Sequence, residues 1–142
     1  MARALCVLAW CAWHVRRSPR RGHAARALAG VALLGTLADT LLLQAGWIEY
    51  RGTPLAGVFA PAWIAALWAA FATSFESTFA WVARDLRLAA LLGALASPAS
   101  YWAGERLGAL DLGTPRALAL SGIASVWAAA LPLAILLQRR LR

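Results

Sequence analysis

Ala27-Leu-Ala-Gly-Val-Ala-Leu-Leu-Gly-Thr-Leu-Ala-Asp39-Thr-Leu-Leu-Leu-Gln-Ala-Gly-Trp-Ile48 carries one charge, Asp39, in a run longer than the roughly 20 helical residues needed to cross a hydrocarbon core. Three further blocks share this character. Pro61 to Ala83 holds one charge, Glu76, and Ala117 to Gln138 holds none. Leu88 to Gly104 is uncharged and becomes long enough if Arg106 snorkels to the interface. Ala4 to Val15 is shorter and makes a marginal first span. The blocks predict an all-α integral membrane bundle of five transmembrane helices, at about residues 2–16, 27–47, 59–83, 88–109 and 117–138, forming a single domain over 1–142.

Composition points the same way. The chain is 62% hydrophobic and 14% charged, whereas soluble domains are about half apolar and a quarter charged. Its 14 basic against 6 acidic residues would suggest a nucleic-acid partner in a soluble protein, but the apolar runs override that reading and no nucleic acid is expected. Every basic residue is arginine, a trace of coding bias from which no function follows. Cys6 and Cys11 lie about 140° apart on a helix and cannot bridge each other.

The arginines set an orientation, because cytoplasmic loops collect positive charge. Arg16, Arg17, Arg20, Arg21 and Arg26 fill the first connection, Arg84 and Arg87 the third, and Arg139, Arg140 and Arg142 the tail. The second and fourth connections hold Arg51, Arg106 and Arg116, balanced by Glu49, Glu105 and Asp111. Five spans with the N-terminus outside and the C-terminus cytoplasmic satisfy this alternation, which places the protein in a bacterial inner membrane. Trp47, Tyr50, Trp63, Trp81 and Trp102 fall near helix ends, where an interfacial aromatic belt is expected.

Asp39 is the most informative residue. An aspartate at the centre of a spanning helix costs roughly 2.5–3.5 kcal/mol, while each neighbouring Leu or Val returns about 0.3–0.6. Its surroundings nearly cancel the acid, so a polar partner inside the bundle is expected. Counting 1.5 Å of rise per residue puts Asp39 about 12 Å below the outer surface, with Trp68 and Tyr101 at a similar depth on other helices. Ser97 and Ser100 share the helix of Tyr101. The expected intramembrane polar cluster is therefore Asp39, Trp68, Ser97, Ser100 and Tyr101. Glu76 belongs to the inner half, too far from Arg84 along the helix to pair with it.

In the fourth block Pro98 removes a backbone donor and is expected to kink or break the helix, while Ser100, Gly104 and Gly108, spaced by four, predict a close-packing face. No zinc-type His pair, phosphate loop or Ser-His-Asp set occurs. Cys11 and His14 would make a poor two-ligand metal site, so neither metal nor cofactor is expected. Asp39 with Tyr101 suits acid–base chemistry and a proton-coupled carrier equally well.

Gly35-Thr-Leu-Ala-Asp39, Pro61-Ala-Trp63, Ala66-Leu-Trp68-Ala-Ala-Phe71-Ala-Thr73, Gly93 to Pro98 and Tyr101-Trp-Ala-Gly104-Glu-Arg-Leu-Gly108-Ala109 together resemble the bacterial membrane family named domain of unknown function twenty-eight seventy-eight. The similarity runs from about Leu34 to Ala109 and is weaker at Trp127 and Pro132. The family has no assigned activity. Its association with enzymes that modify fatty acyl chains implies an accessory or scaffold role in membrane-lipid modification, with membrane lipid and lipid-modifying enzymes as partners. A proton-coupled transporter of a small molecule or lipid is the alternative, and a membrane-embedded enzyme a third. The resemblance also implies a further apolar helix ahead of Ala4 to Val15 in relatives, so Met1 is expected to be a displaced start or the start of a shortened variant. Ser97 stands where relatives have glycine, and Glu76 where they are uncharged.

Overall fold

The computed structural model describes residues 2–51 and 58–141; Arg142 of the basic tail lies outside them. Five α-helices dominate the described residues: α1 (Ala2–Arg17), α2 (Arg21–Gln44), α3 (Ala62–Ser74), α4 (Leu86–Arg106) and α5 (Arg116–Leu141). The chain is thus all-α in class with the expected number of helices. Two of them, α2 and α5, are long and apolar enough to cross a membrane.

Small and large side chains share the buried faces of the long helices. In α2 Ala24, Ala27, Gly35, Ala38 and Asp39 are buried beside Leu28, Val31, Leu42 and Leu43, while Leu33, Leu37 and Leu41 point outward. In α5 Ala119, Gly122, Ala130 and Ala134 face inward with Ile123, Leu131 and Ile135, and Leu118, Leu133 and Leu136 outward. Small residues let helix backbones approach closely.

Several features differ from expectation. The helix predicted over 27–47 starts earlier, at Arg21. The helix predicted over 59–83 is α3, which stops at Ser74; its 13 residues span about 20 Å, short of a full bilayer core. The Phe75 amide closes its last turn on the Ala72 carbonyl at 3.3 Å. Turns then carry the chain to a 3₁₀ segment, Val82–Arg84, and Asp85 starts α4 by accepting from the Arg87 and Leu88 amides. Pro98 does not break α4, which continues through it because one missing bond in a ladder of 21 residues is held by the turns on either side. Gly108 is not on a helix face, since α4 ends at Arg106.

Gly108 instead terminates the helix. Its φ is +73°, its amide donates to the Glu105 carbonyl, and the Ala109 amide donates to the Gly104 carbonyl. That is a Schellman ending, in which a residue in left-handed conformation reverses the chain and satisfies the orphan carbonyls. Gly46, at φ +70°, ends α2 identically, with the Gly46 amide on Leu43 and the Trp47 amide on Leu42.

Each reversal leads into a short strand, β1 (Ile48–Tyr50) or β2 (Leu110–Leu112), and the two pair antiparallel with Glu49 opposite Asp111. The Arg51 amide donates to Ala109 and the Gly113 amide to Trp47. Every one of these contacts maps onto its counterpart by the offset that separates Asp39 from Tyr101, 62 residues. The α2–β1 and α4–β2 segments therefore share one backbone design about a local two-fold axis through the ribbon. Further out the symmetry lapses: α2 packs along α5, but the equivalent pair, α3 and α4, is not closely packed.

Candidate functional site

Asp39 is 2% exposed and accepts three hydrogen bonds from three different elements. Trp68 Nε1 on α3 donates to Oδ2 at 2.8 Å, Tyr50 Oη on β1 donates to Oδ1 at 2.5 Å, and Tyr101 Oη on α4 donates to the same oxygen. Trp127 on α5 completes the chain by donating Nε1 to Tyr101 Oη at 3.2 Å. An indole nitrogen can only donate. The hydrogen bonds thus run one way, from Trp127 through Tyr101 into the carboxyl group.

Local sequence explains how these side chains converge. Gly35 sits one turn before Asp39, and a Cβ there would fall on the Trp68 ring, so its hydrogen side chain is what lets the indole lie across α2. Trp68 then stacks on Trp127, with centroids 4.5 Å apart and planes tilted by 20°. Tyr50 arrives because the Gly46 reversal turns β1 back over the helix end, burying Ile48 and Tyr50 and leaving Glu49 outward. Burial, with Asp39 and Tyr101 beside it, holds the Tyr50 phenol far above its ordinary range, which keeps it a donor.

A buried carboxyl group is costly unless its oxygens are hydrogen-bonded, and here three donors meet it. Among the described residues no arginine pairs with it.

Of the residues expected to cluster, Asp39, Trp68 and Tyr101 are in direct contact. Ser97 and Ser100 do not bond the acid. Ser100 is exposed and donates to the Ala96 carbonyl at 3.0 Å, whereas Ser97 is 4% exposed, with an Oγ that has no partner among the described residues. Ser100 is turned outward, while Ser97 shares the buried face of Tyr101 one turn away along the helix axis. Tyr50 and Trp127 were missed as members: Tyr50, read as a belt residue, is 5% exposed. The signal that could have found it is Gly46 followed by alternation of inward Ile48 and Tyr50. Glu76 pairs with the Gln138 Nε2 on α5 at 3.0 Å.

A cavity of about 260 Å³ lies against the cluster, with Asp39, Tyr50 and Tyr101 on one wall and Trp63, Leu67 and Phe71 among its apolar lining. A second, of about 440 Å³, continues from it between α3, α4 and α5, and the two share Phe71, Ser100 and Trp127. Ser97 lines the second cavity. Among the described residues no group of three or more His, Cys, Asp or Glu side chains gathers to hold a metal ion.

The sequence pattern of a family described as protein of unknown function (DUF2878) matches residues 1–133. The chain belongs to that family. The match takes in α1 and most of α5 as well as the central segment, so every residue of the Asp39 cluster falls within the DUF2878 region. No curated protein and no solved structure matches the chain. Within this DUF2878 protein the cluster offers one carboxyl group, two phenols and two indoles. Asp39 is its only carboxyl, and neither a histidine nor a second acid joins it, so the set suits binding and proton acceptance better than chemistry that needs paired carboxylates.

Proposed function

We propose that this protein is a multi-pass bacterial inner-membrane protein of five spans, N-terminus outside and C-terminus cytoplasmic, that acts as an accessory or scaffold in membrane-lipid (fatty-acyl) modification. The observation that carries this reading is the cavity beside Asp39, which joins an apolar aromatic wall to a polar one at the side of the bundle. A site of that kind suits an amphiphile whose chain lies in hydrocarbon. The membrane assignment is supported by the outward leucines of α2 and α5, since exposed apolar stripes of this extent mark contact with lipid or another protein. The orientation is supported by charge. Both ion pairs among the described residues, Arg51 with Asp111 and Arg116 with Glu105, lie at the ribbon end, while the arginines of the opposite end remain unneutralised, as cytoplasmic positive charge requires.

The test is lipidomics of a deletion strain restored with wild type or with Asp39→Asn. An altered acyl-chain profile in the deletion, corrected by wild type and not by the variant, is expected. An unchanged profile removes the lipid-modification reading. A proton-coupled carrier is the second reading, favoured by a buried carboxyl group, Asp39, that lines a cavity. It requires that reconstituted vesicles acidify or alkalinise on addition of a transported solute, and that Asp39→Asn abolish the signal.

A further inference from the structure

The local two-fold makes each position in one half a control for the other, and one pair of positions differs in what fills the space beside it. Gly35 and Ser97 are counterparts by the 62-residue offset. Beside Gly35 the space is occupied by the Trp68 indole. The counterpart of Trp68 is Ala130, and no ring fills the matching space in the second half, where Ser97 is among the residues that line the inner cavity of about 440 Å³. Native interiors rarely leave a void of that size. The two cavities together form a cleft between α3 and α4, at the interface that stays closed in its counterpart, α2 against α5.

The dimensions of the cleft select its occupant. It runs along α4 from Leu92 to Gly104, about 18 Å at 1.5 Å per residue. A single extended hydrocarbon chain matches that length and the apolar character of the walls. The lining is aromatic and aliphatic, with Phe75, Phe79 and Leu131 at the inner end, and offers water almost nothing to bond.

Charge then sets which lipid. The inner mouth is bounded by Trp81 and Val82, followed directly by exposed Arg84 and Arg87, neither of which forms an ion pair among the described residues. Arg139, whose guanidinium donates to the Ala83 carbonyl, adds a third cation there. The acids at this end are already engaged: Asp85 caps α4 and Glu76 accepts from Gln138. Juxtamembrane arginines attract anionic headgroups.

We propose that the α3–α4 cleft seats one acyl chain of an anionic phospholipid from the cytoplasmic leaflet, its headgroup on Arg84 and Arg87 and its chain running past Ser97 towards Asp39 and Tyr101. This rests on the five-span reading above and adds the ligand class and its direction of entry.

The probe is a phosphatidylglycerol bearing a diazirine in one acyl chain, present as a minor component of phosphatidylcholine vesicles that contain the purified full chain. After irradiation, peptide mapping should place adducts on Phe71, Phe75, Trp127 and Leu131. Ser100→Phe, an exposed position at the junction of the cavities, should cut that labelling about fivefold by excluding a few methylenes. Ala96→Phe, which enters the inner cavity from its exposed side, provides the same block if the first variant does not fold. Leu95→Phe, exposed and outside the cleft, should leave labelling unchanged. Arg84→Ala with Arg87→Ala should lower it about tenfold, and a diazirine phosphatidylcholine should label as weakly as that variant.

Adducts spread over Leu33, Leu37 and Leu41, indifferent to Ser100→Phe and Ala96→Phe, would overturn the cleft. Equal labelling by the two headgroups would overturn the anionic assignment. Alkaline carbonate extraction of the same preparation separates the two levels: protein released by it defeats the five-span reading, whereas retained protein with annular labelling defeats the cleft alone.

Discussion

The α2–β1 and α4–β2 segments have the same backbone and opposite chemistry. Both end in a left-handed glycine, both feed a three-residue strand, and both place a key side chain the same distance ahead of that glycine. In the first half that side chain is Asp39 and in the second Tyr101, and the two meet. A repeated frame about a two-fold axis brings equivalent positions face to face. It follows that a difference at one such position, acid against phenol, yields a hydrogen-bonded pair where two identical residues would give two acids or two phenols. The halves differ equally in packing: the Trp68 indole lies against Gly35, whereas Ser97, buried as it is, has Ala130 in the place of that ring and borders a cavity.

The largest effect should come from removing the asymmetry of the pair. Asp39→Tyr or Tyr101→Asp alone should each cost about 3–5 kcal/mol of stability, since each leaves buried polar groups unmatched. The double exchange should recover about 1–3 kcal/mol of that loss as coupling between the sites. Thermal unfolding in detergent measures all three; a double variant no better than the sum of the singles would show that the halves do not communicate through this contact. Asp39→Leu should also destabilise the bundle, because two phenols and an indole lose their acceptor together.

Packing gives the next contrast. Gly35→Leu should cost about 3 kcal/mol, since its side chain meets the Trp68 ring. Its counterpart, Ser97→Leu, should change stability by less than about 1 kcal/mol, because it fills existing space and removes an unpaired hydroxyl. Equal costs would mean that the two sides are equally full. Tyr50→Phe should cost about 1.5 kcal/mol by removing one donor from the acid, with Leu112→Ala, at the equivalent strand position, reporting only lost apolar burial.

The smallest effect belongs to the ribbon. Arg51, by its hydrogen bonds to Asp111, holds that carboxyl below the ordinary aspartate value of 3.8. A depressed folded-state value means that the contribution is present above 3.8 and lost as the pH falls through the lower, folded value. Protection of the Arg51 and Gly113 amides, measured as exchange relative to the intrinsic rate at each pH, should accordingly fall in acid in the wild type, and Asp111→Asn should abolish this pH dependence. Since both partners are exposed, high salt should reduce it too.

Much of this was legible in the sequence. Uncharged runs revealed five helices, because helix placement here depends on hydropathy summed over many residues. Asp39, Trp68 and Tyr101 were legible as a group because depth follows from rise per residue. Single-residue placement was less accessible: Ser100 lies at a suitable depth but faces outward, and Ser97 shares the face of Tyr101 but sits a turn away from the acid. The ends of helices were less legible still. Gly108 ended α4 in a conformation that a spacing of four cannot distinguish from a packing stripe. Tyr50 was hidden for the same reason, since its inward position depends on the reversal at Gly46.

The β1–β2 ribbon ties the C-terminal end of α4 to the segment that leads into α3, and at the opposite end the chain itself joins α3 to α4 through residues 75–85. The gap between these two helices is therefore bridged by backbone at both of its ends. Its shape is set by two fixed anchors, so its width is built into the chain path and does not depend on side chains meeting across it.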